Sequence, residues 1–153
     1  MEQKENNLQG LWVGTITYGK SYKAFAGSEL FFELELREEG NQISGEAMDT
    51  GGFGVSPDPA KIIGFTKERE IHFVKQYTTC HFLDVDKRVI IDPSTPGLPI
   101  RYSGLFDEMT QRFAGDWVME AKTKFLWIFP VTHRAGGTWT MQRKGNDRPT
   151  MGE

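Results

Sequence analysis

Apolar residues recur at every second position along most of the chain, and helical periodicity is nearly absent. Period two is the spacing of a strand with one buried face. Leu30, Phe32, Leu34 and Leu36, interleaved with Phe31, Glu33, Glu35 and Arg37, show it most cleanly. An earlier strand is expected over residues 8–18, with Trp12, Gly14, Ile16 and Tyr18 on one face. Later ones carry Ile43, Gly45, Ala47 and Asp49, then Ile62 and Gly64, then Ile71, Phe73, Lys75 and Tyr77. Three more carry Ile100, Tyr102, Gly104 and Phe106; Phe113, Gly115, Trp117 and Met119; and Gly137, Trp139, Met141 and Arg143.

These eight segments follow one another as neighbours. The expected fold is all-β, an eight-stranded antiparallel up-and-down (meander) barrel, because a sandwich would need crossing connections. A single domain is expected over residues 8–144, with residues 1–7 and 145–153 as flexible termini. Gly10-Leu11-Trp12, Gly115-Asp116-Trp117 and Gly137-Thr138-Trp139 repeat a Gly-x-Trp pattern, with Gly104-Leu105-Phe106 as a weaker relative. Residues two apart share a face, and a small residue beside a large one fills the tapering interior of a closed sheet.

The connections alternate in length. Glu38–Asn41, Thr66–Glu70 and Asp107–Thr110 are short; Gly19–Glu29, Thr50–Pro59, Thr78–Pro99 and Glu120–Gly136 are long. In a meander, alternate connections lie at opposite ends, so one end is closed and the other is a mouth ringed by loops. Thr78–Pro99 is too long to be structureless, and Arg88–Ile91 is expected as an extra strand.

Strand parity makes the deep interior apolar. Tyr18, Asp49, Lys75, Tyr77 and Tyr102 are its polar positions, all in the mouth half. An apolar pocket with a few convergent polar groups is the usual form of a small-molecule site. The candidate ligand-binding residues are therefore Tyr18, Phe32, Asp49, Lys75, Tyr77, Tyr102 and Trp117. A structural alternative stands beside this: rim tyrosines pack their rings, and Lys75 snorkels or pairs with Asp49. Lys124–Pro130 contains five consecutive apolar residues. It reads as a lid carrying Phe125, Trp127 and Phe129, as a contact with another subunit, or as a strand extension. Gly51–Gly54 reads as a flap or as a turn that uses glycine's backbone freedom.

Composition narrows the function classes. The 153 residues are 25% charged and 38% hydrophobic, with 18 basic and 21 acidic residues and a net charge of −3. No basic surplus points to nucleic acid, and no apolar run reaches membrane-spanning length. Cys80 is the only cysteine, so no internal disulfide forms. Met1–Asn7 lacks the basic-then-apolar layout of a signal peptide, and a cytoplasmic location is the expectation. Asp49-Thr50-Gly51 follows a strand as the catalytic Asp of aspartic proteases does, but that chemistry needs two carboxylates and the meander fits that fold poorly. Cys80, His81, Asp84 and Asp86 lack a recognised metal-ligand spacing, His72 points outward by parity, and His133 has no nucleophile paired with it. No catalytic residue, metal or cofactor is assigned.

Trp12, opening the first strand behind Gly10, and Arg143, ending the last, resemble the calycin superfamily. In lipocalins a Gly-x-Trp opens the first strand and a basic residue of the last strand packs over that Trp at the closed end. Ser44-Gly45, Ile63-Gly64, Ser103-Gly104 and Ala114-Gly115 resemble the rhythm of avidin-like barrels, although Ile63 is not small. The resemblance implies a barrel with a ligand site at the loop-bearing end. The biotin contacts of avidins cannot be placed on the chain, and the lipocalin disulfide is impossible. The expectation is therefore a barrel that binds a small, largely apolar or amphipathic molecule. An isomerase or hydrolase using Asp49, Lys75 or His133 at the same mouth is one alternative. A filled barrel that assembles as a homo-oligomer through Trp127, Phe31, Val13 and Leu105 is the other.

Overall fold

The computed structural model describes residues 7–83, 89–92, 97–125 and 129–145. Ten strands are present among them: β1 (Gly10–Tyr18), β2 (Glu29–Glu39), β3 (Gln42–Gly52), β4 (Ala60–Lys67), β5 (Glu70–Tyr77), β6 (Cys80–Leu83), β7 (Val89–Asp92), β8 (Ile100–Asp107), β9 (Arg112–Phe125) and β10 (Phe129–Arg143). Eight of them close into one antiparallel barrel in the order β1-β10-β9-β8-β5-β4-β3-β2. The meander read from the alternation is thus the fold. β6 and β7 form a separate two-stranded sheet inserted between β5 and β8. That hairpin holds the extra strand expected in Thr78–Pro99, placed at Val89–Asp92 and paired with Cys80–Leu83.

Tight turns through Gly40-Asn41, Glu68-Arg69 and Glu108–Gln111 close one end of the barrel. Both ends of the barrel sheet, the start of β1 and the finish of β10, meet there, with Trp12 opposite Arg143 in the register. The Arg143 guanidinium lies 4.8 Å from the Trp12 ring centroid, a cation–π contact. It also donates to the carbonyl oxygens of Gln9, at 2.9 Å, and Asn7. Trp12 Nε1 donates to the Leu8 carbonyl at 2.9 Å, so the segment before β1 is folded across this end. The first strand starts at Gly10 rather than Leu8 because these bonds turn residues 7–9 away from the ladder.

The interior is a single apolar cluster that includes Trp12, Ile16, Phe32, Leu34, Ile43, Ile71, Phe73, Phe113, Trp117, Trp139 and Met141, all buried. Glycines make room for it. A methyl group on Gly14 would sit 2.3 Å from a Phe32 ring carbon, and one on Gly104 would sit 2.7 Å from a Trp139 ring carbon. At Gly115 the obstacle is backbone: a Cβ there would lie 1.8 Å from the Ser103 carbonyl oxygen of the neighbouring strand. The small-beside-large pattern is therefore steric. Each gap either admits an aromatic ring or lets two strands approach.

Glu120–Gly136 departs from the expected loop. β9 and β10 stay in unbroken register from Arg112↔Gln142 to Phe125↔Phe129. β8 pairs with β9 only as far as Met119, and β1 pairs with β10 only as far as Gly137. Beyond those points the two strands continue as a ribbon past the barrel. The consecutive apolar residues of Lys124–Pro130 carry no alternation from which to read a strand. Phe125 and Phe129 of the expected lid are paired across this ribbon; Trp127 lies outside the described residues, as do residues 1–6 and 146–153 of the termini.

Replacing Gly115 by Ala drives a methyl group into backbone that cannot yield, so Gly115→Ala is expected to lose about 3 kcal/mol of unfolding free energy. Gly51→Ala is the control, because its Cβ would meet only a Phe31 ring carbon at 3.8 Å. It should change stability by no more than about 0.5 kcal/mol. Urea unfolding of the two variants measures both; equal losses would contradict the steric account.

Candidate functional site

β3 and β5 bring the mouth-half polar residues together. Inward parity puts Asp49 near the end of β3, and Lys75 and Tyr77 at the end of β5. A β-bulge sharpens the placement: Phe31 pairs with Gly51 but Phe32 pairs with Asp49, which leaves Thr50 as an extra residue. Such an insertion bends a strand and re-aims its side chains. Asp49 is thereby turned under the mouth with its side chain at 0% exposure.

The Asp49 carboxylate is well supplied with donors. Tyr77 Oη donates to Oδ1 at 2.8 Å, with Oδ2 at 3.0 Å. The Ser56 backbone N–H donates to Oδ2 at 2.8 Å. Lys75 Nζ lies 3.7 Å from Oδ1, an ion pair somewhat longer than a hydrogen bond. The Lys75 ammonium is otherwise ringed by aromatic faces, with centroids at 5.2 Å for Phe32, 5.0 Å for Tyr77 and 5.8 Å for Tyr102. A desolvated cation over an aromatic face gains about 2 kcal/mol. Lys75 thus neither snorkels nor points outward. It is the only buried cationic side chain among the described residues. Burial holds its amine below the usual lysine range, and the Asp49 charge only partly restores it.

Tyr102 completes the centre on β8. Its ring stacks on Phe73, centroids 4.6 Å apart and planes 11° from parallel. Its hydroxyl is buried and has no hydrogen-bond partner among the described residues. A buried unsatisfied hydroxyl costs about 1–3 kcal/mol, so such groups are rare and call for an explanation.

The mouth is roofed rather than open. After β1 a short 3-10 segment, Lys20–Phe25, carries Tyr22 inward, and the β3–β4 loop carries Phe53 inward. Tyr18 is the hub of this roof. It meets Tyr22 edge-on at 4.8 Å, Phe53 at 5.5 Å and Trp117 at 5.9 Å. Phe25 packs on Phe53 at 5.1 Å. The Tyr18 hydroxyl donates to the Phe53 carbonyl at 3.2 Å, and Trp117 Nε1 donates to the Thr17 carbonyl at 3.3 Å. Gly54 has a φ of +78°, and a Cβ there would lie 2.6 Å from Tyr18 Oη. Both facts require glycine. Gly51–Gly54 is thus a turn that seats Phe53 on the site. Apolar burial drives these loop aromatics inward, each ring pair adding about 0.5–1.5 kcal/mol beyond its area.

All seven expected ligand-binding positions, Tyr18, Phe32, Asp49, Lys75, Tyr77, Tyr102 and Trp117, are buried in this half of the barrel. Three contributors escape the strand pattern: Tyr22, Phe53 and Ser56. Their signal is a lone aromatic in a polar or glycine-rich loop, and a serine ahead of Pro57-Asp58-Pro59. Ser56 Oγ accepts from the Asp58 backbone N–H at 3.2 Å, and Thr79 Oγ1 donates to Asp58 Oδ2 at 2.5 Å, which ties the loop to the end of β5. Among the described residues, no group of three or more His, Cys, Asp or Glu side chains is placed to hold a metal ion. No helix among them is long and apolar enough to cross a membrane. His72 is partly exposed and bonds Glu70 at 2.9 Å and Ser103 at 3.1 Å on the outer wall. Two surface cavities lie elsewhere. One of 340 Å³ sits on the outer wall over Gly14, and one of 1110 Å³ crosses the closed end beside Leu8 and Phe106. Of the seven candidate ligand-binding residues, Phe32 alone lines the first and none lines the second.

The unequal bonding of Asp49 and Lys75 sets the cost of losing either. Without Asp49, Lys75 is a buried cation facing only rings, so Asp49→Asn should cost about 3–5 kcal/mol. Lys75→Met leaves Asp49 its Tyr77 and Ser56 donors and should cost less than half as much; the double variant should recover part of the Asp49→Asn loss. A thermodynamic cycle from urea unfolding checks this, and additive losses would contradict it.

The tyrosines add a pH dependence. Tyr22 is pushed up to about 12 by burial. Burial raises Tyr18, Tyr77 and Tyr102 as well, and the Asp49 charge adds to it. The folded chain therefore keeps these protons longer than the unfolded chain does. The stability this confers is complete below about pH 10 and is lost as pH rises through the folded values. Lys75 acts oppositely and lower: its contribution is complete above the unfolded lysine value and shrinks as pH falls through its lowered folded value. Thermal unfolding at stepped pH should show the melting temperature falling above about pH 10, less steeply in Tyr102→Phe. An unchanged slope in that variant would contradict the assignment.

Comparison with known proteins leaves this geometry as the description of the site: no protein-family model, no curated protein and no solved structure matches the chain.

Proposed function

We propose that the protein is a calycin-like barrel that binds a small amphipathic molecule beneath the Tyr22–Phe53 roof. The ligand's apolar body lies between Phe32 and Trp117, and its oxygen acceptor meets Tyr102 and Lys75. Trp12 stacked under Arg143 at the closed end supports the calycin assignment. The mouth loops support a site at the opposite end, where connecting segments on a rigid scaffold most often carry binding.

Tyr102 Oη is the observation that carries this reading, as a buried donor without a protein partner. Lys75 stands beside it with donor capacity that one long ion pair does not use up. The Lys75 ammonium can only donate and the Tyr102 hydroxyl can donate or accept, so an acceptor on the ligand serves both. A neutral acceptor, a carbonyl or hydroxyl oxygen, suits the centre better than a carboxylate. Asp49 already balances Lys75, and a further anion would be buried uncompensated. The roof is the entry route: Gly52 and Gly54 have φ of +96° and +78°, and Phe53 between them is held by its N–H donating to the Glu29 carbonyl at 2.8 Å, by the Tyr18 hydroxyl donating to its own carbonyl, and by ring contacts. A second reading is a filled barrel whose polar centre only holds the mouth strands together; the packed aromatics around Tyr18 favour it.

Native mass spectrometry of protein isolated from its own host, with Trp117 fluorescence titrated by medium-chain alcohols and ketones, separates the two. Ligand binding predicts a co-purifying neutral oxygen-bearing molecule, saturable quenching, and affinity about tenfold weaker in Tyr102→Phe, the worth of one hydrogen bond. Lys75→Met should weaken it as well. A ligand-free mass together with no saturable response to any probe would leave the filled barrel.

A further inference from the structure

We propose that the mouth site is reactive as well as binding: Lys75 condenses with an apolar aldehyde to form an imine at Nζ. This rests on the ligand-site reading above and names the substrate class. Four features of the structure converge on that nitrogen. It is a primary amine with 3% side-chain exposure, buried in the mouth half of the barrel beneath the aromatic roof. A carboxylate oxygen lies 3.7 Å away to exchange a proton with it. Three aromatic faces surround it at 5.0–5.8 Å. The Tyr102 ring centroid lies 5.8 Å from the same nitrogen, and its hydroxyl, without a partner among the described residues, can donate to a carbonyl oxygen.

The step balances within these groups. The Lys75 ammonium first passes a proton to Asp49, which leaves a free amine and a neutral carboxylic acid. The nitrogen lone pair attacks the carbonyl carbon while Tyr102 Oη–H bonds the carbonyl oxygen. A proton moves from nitrogen to that oxygen, giving a carbinolamine. Asp49 then returns its proton to the hydroxyl, which departs as water as the C=N bond forms. One C=O bond has become one C=N bond, nothing is oxidised or reduced, and one water is released. The nitrogen ends as a protonated imine beside an Asp49 carboxylate.

Conservation of charge favours this chemistry over others at the same place. The centre holds one cation and one anion before and after, on the same two side chains. No uncompensated charge is buried at the end of the sequence. The aromatic ring of faces that holds the ammonium holds the protonated imine equally well, since both are cations on Nζ. Burial, which lowers the Lys75 amine from its usual range, increases the fraction that is nucleophilic at neutral pH.

Reductive trapping of the full chain tests it. The protein is incubated with cinnamaldehyde and cyanoborohydride, digested, and mapped by mass spectrometry. The expected result is one dominant adduct on the Lys75 peptide, heavier by the aldehyde less one oxygen atom, formed well ahead of labelling at exposed Lys61. Lys75→Met should lose that adduct. Tyr102→Phe, which keeps the fold if the larger change does not, should slow it several-fold. Cinnamyl alcohol, which binds without condensing, should protect Lys75. If the alcohol quenches Trp117 saturably but aldehyde labels only exposed lysines, the imine proposal fails and the binding site stands. If neither compound binds or labels Lys75, both fail together.

Discussion

Closing an eight-stranded sheet leaves an interior whose volume the strand number fixes, and the rest of this structure follows from filling it. The space is wide enough for side chains from all eight strands but not for one large residue at every inward position. The chain meets this with glycine at inward positions next to tryptophan or phenylalanine. Phe32 lies over Gly14 and Trp139 over Gly104. At the closed end the filling is complete, and Arg143 over Trp12 seals it. Toward the mouth the inward residues become polar, and the filling ends in a charged pair, a phenol without a partner and a roof of loop aromatics.

The polar centre follows from that gradient. A lysine and an aspartate inside a barrel cost several kcal/mol each in lost hydration unless their surroundings replace it. Here replacement is unequal. Asp49 has a tyrosine hydroxyl and a backbone N–H as well as Lys75; Lys75 has Asp49 and three ring faces. Tyr102 receives nothing. Stability alone would favour apolar residues of similar volume at Lys75 and Asp49 together, and phenylalanine at Tyr102. In the proposed function, a ligand acceptor supplies the partner that Tyr102 lacks.

The eight barrel strands were legible because period two, once placed, settles the facing of every residue on a strand. It put Tyr18, Asp49, Lys75, Tyr77 and Tyr102 on the inside at one end, and they are there. Contacts between strands were not legible. The bulge at Thr50 and the Tyr77–Asp49 bond depend on register, which alternation does not specify. The roof was missed for a different reason. Tyr22 and Phe53 lie in segments without periodicity, so nothing in their spacing says which way they point. The β9–β10 ribbon was obscured by its own composition, since a run of consecutive apolar residues carries no alternation from which to read a strand.

The central claim is that the centre beneath Tyr22 and Phe53 receives a ligand oxygen. A crystal structure grown with saturating octanol addresses it most directly. The account predicts the alcohol oxygen within hydrogen-bond distance of Tyr102 Oη and Lys75 Nζ, its chain between Phe32 and Trp117, and the Tyr22 and Phe53 rings displaced to admit it. Octanol bound elsewhere, with those rings still packed on Tyr18 and Tyr102 Oη still without a partner, would contradict it.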